Sequence, residues 1–144
     1  MAAGSPRILV VDDEPGIVES LCEALKRTGY QVQTAFNGQQ ALDAVEQACP
    51  DLIVMDVMMP GMDGLQALEI LRGKAATRNT PIILLTALGT DMDIIAGVRA
   101  GATMYLTKPV ENSRIVSLIS AILGGRQALG CESAEDLRSA ASKR

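Results

Sequence analysis

The sequence predicts a doubly wound α/β fold, with a five-stranded parallel sheet between layers of helices. Three observations predict it. Short β-rich apolar runs occur at Ile8–Val11, Val32–Phe36, Leu52–Met55, Ile82–Leu85 and Met104–Leu106. Longer stretches with helical spacing separate them. Runs that are apolar throughout imply strands covered on both faces, hence a mostly parallel sheet with helices on each side.

The elements follow in order. After the first run, Ile17, Leu21 and Leu25 share a helical face with Val18 and Cys22. Pro15 suits the first turn of that helix and Gly29 its C-terminal cap. After the second run, Asn37 and Gln40 have the spacing of a capping box, and Ala41, Leu42, Val45 and Cys49 repeat the apolar pattern. Asp63 with Gln66 caps a third helix in the same way. Thr90 can cap a fourth, at about 91–100, which Gly101 can end. The fifth, at about 112–124, carries the stripe Ile115, Val116, Ile119, Ile122 and Leu123.

A chain of 144 residues, 48% hydrophobic, fits one domain with its own core. That domain is expected to span 7–124. Beyond Gly124-Gly125 the composition turns polar and small, so 125–144 reads as a tail or linker, in which Ser133 and Asp136 can open a short helix. The net charge of -4 argues against direct nucleic-acid binding, which calls for a basic patch. No run of about 18 apolar residues suggests a membrane span. Met1 to Pro6 lacks an apolar signal region, so a cytoplasmic protein is expected.

With no histidine, Ser/His and Cys/His catalysis are excluded, as is phosphorylation on histidine in this chain. Cys22, Cys49 and Cys131 form no CxxC pair, which suggests neither a disulfide framework nor a zinc site. Cys22 and Cys49 fall on apolar helix faces and read as small buried hydrophobes.

Polar residues collect at strand ends. Asp12 and Asp13 follow the first strand, Asp56 the third, Thr86 the fourth and Lys108 the fifth. In an open α/β sheet the carboxyl ends of strands line the binding crevice. The crevice would hold three carboxylates, a hydroxyl and an ammonium. Two carboxylates about 4 Å apart repel by on the order of 4 kcal/mol at intermediate dielectric. Without a cation, at least one pKa should rise. A divalent ion removes the conflict, and magnesium suits carboxylates, carbonyls and water while bridging to phosphate. A phosphoryl group then fits the remaining space, with one carboxylate as nucleophile.

The stretches Val11-Asp12-Asp13-Glu14-Pro15, Asp51 to Asp56 with Met59-Pro60-Gly61-Met62-Asp63-Gly64, Pro81 to Thr86-Ala87, and Gly101-Ala102 to Lys108-Pro109 occur in a specific order and spacing. Through them the chain resembles the receiver domain of two-component response regulators, over roughly residues 7–124. The resemblance implies a flavodoxin-like α/β/α sandwich with sheet order 2-1-3-4-5. It implies Asp56 as phospho-acceptor, Asp13 as direct magnesium ligand, Asp12 as a ligand through water, and the Met58 backbone carbonyl as a further ligand. Lys108 would pair with the phosphoryl group, next to a cis Lys108-Pro109 bond. Thr86 and Tyr105 would form a switch pair. The donor would be a phosphohistidine on a sensor histidine kinase or histidine phosphotransfer protein. The altered surface could then serve an unknown downstream protein partner or a phosphorylation-dependent homodimer. Met58 and Leu88, both apolar, would flank the route of an attacking water.

Two other readings compete. A magnesium-dependent phosphatase with an aspartyl nucleophile would carry that nucleophile after the first strand and a second acid two residues on, whereas here Asp12 and Asp13 are adjacent. A flavodoxin would need a phosphate-binding first loop, and this one is acidic. The receiver could also be part of a longer regulator with a separate output domain.

Overall fold

The computed structural model describes residues 5–87 and 100–128. Five strands, β1 (Arg7–Val11), β2 (Gln31–Ala35), β3 (Leu52–Asp56), β4 (Ile82–Thr86) and β5 (Met104–Thr107), pair in parallel in the order β2-β1-β3-β4-β5. Four helices are described: α1 (Pro15–Thr28), α2 (Gly38–Gln47), α3 (Gly64–Gly73) and α4 (Asn112–Ala128). The doubly wound order is the one the resemblance implies. The helix expected at about 91–100, with Thr90, Ile94 and Ile95, falls outside the described residues but for its last position. So do Leu88, Cys131 and 129–144.

Strand alternation splits the core in two. Leu9, Val11, Ile53, Met55, Ile82 and Leu84 face α2 and α3, and pack with Leu42, Val45, Leu68 and Leu71. Ile8, Val10, Leu52, Val54, Ile83 and Leu85 face α1 and α4, and pack with Leu21, Leu25, Ile115 and Ile119. Each large buried side chain contributes about 1.5–3 kcal/mol. Truncating Leu25, which is fully buried in the second cluster, would cost about 2–5 kcal/mol.

Only the three central strands are covered on both faces. β1 is buried after its first residue, and β3 and β4 throughout. The edge strands β2 and β5 are mostly half-buried. β2 reads Gln31-Val32-Gln33-Thr34-Ala35, so its polar residues mark an edge.

The caps follow the sequence with small differences. Gly29, at φ 107, closes α1 in the left-handed conformation and donates to Leu25 and Lys26 carbonyls. Asp63 and Gln66 form a reciprocal capping box on α3. On α2, Asn37 accepts from the Gln40 amide at 2.8 Å, but the Gln40 side chain accepts from Phe36 N–H, one residue before the cap. α2 ends at Gln47, so Cys49 is off the helix and exposed, not the buried hydrophobe its spacing suggests. α4 runs through Gly124-Gly125 to Ala128. A helix-interior glycine costs only about 1 kcal/mol against alanine, which an established helix can absorb.

The connections β1–α1–β2 and β2–α2–β3 run over opposite faces of the sheet, with α1 on one side and α2 on the other. β1 and β3 are neighbours, so their carboxyl ends frame a topological switch point, where open α/β sheets bind ligands.

Candidate functional site

Asp12 and Asp13 leave β1 at that switch point, and Asp56 ends β3 beside them. One carboxylate oxygen from each of the three lies within 4.8 Å of the others. Asp12 and Asp56 are buried, at 2% and 4% exposure, whereas Asp13 is exposed. The cluster therefore has a dry floor and an open side.

Asp12 is already engaged through both oxygens. Oδ1 accepts the Glu14 backbone N–H at 3.0 Å, and Oδ2 accepts from Lys108 Nζ at 3.0 Å. The first bond shapes the entry to α1, whose N-cap Glu14 makes no side-chain cap of its own. The second crosses the site from the β5 end. The same ammonium lies 3.5 Å from Asp56 Oδ2. Lys108 is held there by its backbone, which donates to the Thr86 carbonyl at 2.7 Å. The Lys108-Pro109 peptide is cis.

Burial pushes the Asp56 carboxyl above its ordinary range, and the charge of Asp12 adds to the shift. Lys108 and a backbone hydrogen bond from Met58 pull it the other way without cancelling it. For Lys108, burial works against the charged form, but Asp12 and Asp56 overcome it and hold the ammonium above its ordinary value. The carboxyl that rises is thus Asp56, chiefly through burial and only secondarily through the repulsion from Asp12 that the sequence suggests.

Thr86 ends β4 fully buried, one residue beyond Leu85, the partner of Asp56 in the β3–β4 ladder. In the β4–β5 ladder Leu84 faces Tyr105 and Thr86 faces Thr107. Side chains alternate, so Thr86 and Tyr105 share one sheet face as diagonal neighbours. Tyr105 is half-buried against the cluster that contains Leu84. The Met58 side chain is 55% exposed at the rim.

Asp12, Asp13, Asp56 and Lys108 thus come together as the sequence predicts, with Thr86 adjoining them on β4. One further contributor carries no chemical signal in the sequence: the Glu14 amide, which donates to Asp12.

The sequence model of the response regulator receiver domain matches residues 8–120, a span that contains every residue of this site. The chain belongs to that family. This receiver domain is 40% identical over 119 residues to protein PilH of Pseudomonas aeruginosa, covering 83% of this chain and 98% of PilH. It is 39% identical over 117 residues to the phosphate regulon transcriptional regulatory protein PhoB of Klebsiella pneumoniae, covering 81% of this chain and 51% of PhoB. The chain therefore spans about half the length of PhoB and nearly all of PilH.

Among solved structures, the receiver domain is similar to the signal receiver domain of a signal transduction histidine kinase from Syntrophus aciditrophicus. The TM-score is 0.78 at 36% identity, over 84% of this chain and 92% of that one. A Francisella response regulator receiver domain matches with a TM-score of 0.77 at 35% identity, over 85% of this chain and 99% of that one.

Proposed function

We propose that this receiver domain is a phosphorylation-dependent signalling switch in which Asp56 accepts the phosphoryl group. One observation carries the reading: Asp12, Asp13 and Asp56 converge within 4.8 Å at the switch point of the sheet, with Lys108 reaching across them. Asp56 is the acceptor because it sits at the centre, between β1 and β4, with its carboxylate offered to both the acidic pair and Lys108.

The donor set fits magnesium. It consists of hard carboxylate oxygens, with no imidazole or thiol among them, and one side is open to solvent. Asp13 and Asp56 would hold the ion with the Met58 carbonyl. Asp12, with both oxygens already hydrogen-bonded, would act through water. Bound there, magnesium would neutralise the carboxylates and bind phosphoryl oxygens. A P–O bond to Asp56 forms as the P–N bond of a donor phosphohistidine breaks. Lys108 turns from Asp12 and Asp56 to the new phosphoryl charge. The Thr86 hydroxyl donates to it, and Tyr105 packs inward behind Thr86. The domain also assists loss of its own phosphoryl group, with Met58 and Leu88 flanking the path of water.

The donor is a phosphohistidine on a sensor histidine kinase or a phosphotransfer protein, in the cytoplasm. Among the described residues no helix is long and apolar enough to cross a membrane. The output is a protein partner, or a second copy of this chain, that reads β5, α4 and residues 88–100, with no direct nucleic-acid contact by residues 7–124. The match along nearly all of PilH favours a receiver that acts by docking. The match to half of PhoB favours the second reading, in which 125–144 leads to an output domain.

Acetyl phosphate with magnesium should add one phosphoryl group, read by intact mass, and Asp56→Asn should take none. Full labelling of the Asn variant would move the acceptor to Asp12 or Asp13.

A further inference from the structure

The loop from Val57 to Asp63 carries Met58, whose backbone lies near enough to the Asp56 carboxylate to favour its charged form. It is closed at its base by the Gly64 N–H, which donates to the Val57 carbonyl at 2.9 Å. Two buried glycines press on it from opposite sides. A Cβ at Gly64 would run into the Asp56 carbonyl oxygen and come within 2.9 Å of Val57 Cα. A Cβ at Gly38 would come within 2.8 Å of the Met62 carbonyl oxygen and 2.9 Å of Met62 Cβ. Neither glycine has a positive φ. Each is required by close approach and not by backbone conformation.

Both occupy the first position of a helix, directly after an Asx cap, Asn37 for α2 and Asp63 for α3. The α2 start is fixed independently of the loop. Asn37 accepts from the Gln40 amide at 2.8 Å, and the Gln40 side chain accepts from Phe36 N–H at 2.9 Å. Ala41, Leu42 and Val45 bury the next turns in the core. α2 therefore cannot retreat cheaply from an added methyl group, and the Met62 backbone must yield.

We infer that Gly38, on a helix that supplies no reacting group, is a positioning residue for the acceptor loop. By letting α2 close on Met62, it sets the loop that delivers Met58 to Asp56. Gly64 does the same from the α3 side by direct contact with the acceptor's own peptide. This inference rests on the proposed role of Asp56 and the Met58 carbonyl. Small displacements matter at such a site, since misplacement by about 1 Å can cost on the order of a hundredfold in rate.

The test compares Gly38→Ala and Gly64→Ala with Gly73→Ala. Gly73 lies at the far end of α3, where a Cβ meets nothing within 4 Å. Backbone amide shifts, magnesium titration and phosphoryl uptake from acetyl phosphate are measured for each, with thermal melting alongside. Gly38→Ala should remain folded, shift amides at 57–63 before any ligand is added, bind magnesium more weakly and take up phosphoryl about tenfold more slowly. Gly64→Ala should show at least as large an effect, and Gly73→Ala none. Gly38→Ala matching Gly73→Ala in metal binding and uptake would overturn the inference. So would a Gly38→Ala protein that simply unfolds, since its role would then be structural alone. If the wild type takes no phosphoryl group on Asp56, the functional reading fails separately. The ligand-free amide shifts would still decide whether Gly38 sets the loop.

Discussion

Lys108 donates to Asp12 at 3.0 Å, while the Asp56 carboxylate stands 3.5 Å from the same ammonium. Before phosphorylation the cation is thus committed chiefly to a neighbour of the proposed acceptor. It compensates a buried Asp12 and remains close enough to be recruited by charge arriving on Asp56.

Lys108→Met should therefore destabilise the metal-free protein. It strips Asp12 of its charged partner and leaves the Glu14 amide as its remaining bond among those described. Removing one member of a buried ion pair costs about 3–5 kcal/mol. The Lys108 side chain is 20% exposed, so water softens the loss, and about 2 kcal/mol is expected. Urea unfolding without magnesium measures it. Magnesium should recover part of the loss, and an unchanged midpoint would contradict the pairing.

Asp56→Asn should have the opposite sign. Burial and Asp12 raise the folded-state Asp56 pKa above its ordinary 3.8. The folded protein then binds more protons than the unfolded chain in the window upward from 3.8, so stability falls as pH rises through it. Above the folded-state value the penalty is fully present, and it disappears below 3.8. Metal-free Asp56→Asn should melt higher than wild type at neutral pH, by roughly 3 °C per kcal/mol relieved for a chain of this size. The gap should close as pH falls. Saturating magnesium should narrow it too, because the ion stabilises the carboxylate form preferentially. A gap that is constant with pH would assign the effect to packing.

The parts of this fold legible in the sequence are those with local causes. The Asp63–Gln66 box and the Gly29 cap depend on neighbours a few residues apart, and both are present. The acidic cluster was legible because strand ends in such a sheet converge, whatever the side-chain detail. Tertiary causes were not. Cys49 continues the apolar spacing of α2, but the chain leaves the helix at Gln47 before that spacing can place it. The double commitment of Asp12 needs an amide two residues away and a lysine from the last strand. Gly38 has no chemistry to notice, and its importance lies in the absence of an atom where Met62 approaches.

The phosphoryl lifetime should depend on Met58 and Leu88. Hydrolysis needs a water placed in line with the P–O bond, and a thioether or alkyl group offers no useful hydrogen bond to orient it. Met58 is exposed at the rim, where its bulk can cover the phosphorus. A variant with polar residues at both positions should lose its phosphoryl group about tenfold faster, or ~1.4 kcal/mol in barrier. Decay of the intact-mass signal after removal of acetyl phosphate measures this. Equal rates would show that neither side chain controls the water.

The readout should run through Thr86 and Tyr105. A phosphoryl group brings close to two negative charges and strong acceptor oxygens. It can inform a partner only by favouring one of two conformations. Thr86 is fully buried at the end of β4, and Tyr105 is half-buried on the same face of β5. On the proposed route, a Thr86 hydroxyl turned toward Asp56 would vacate space on that face, and the diagonal Tyr105 ring would enter it. Inward packing of Tyr105 changes what β5 and the adjoining surface present to a partner. Beryllofluoride, a phosphoryl mimic, should alter hydrogen exchange in β5 and across 87–124, as well as at Asp12, Asp13 and Asp56. In Thr86→Ala the change near the carboxylates should persist while the change in β5 is lost. A β5 response that survives the substitution, or that never appears in the wild type, would exclude this route. Tyr105 would then be a fixed packing residue at the sheet edge.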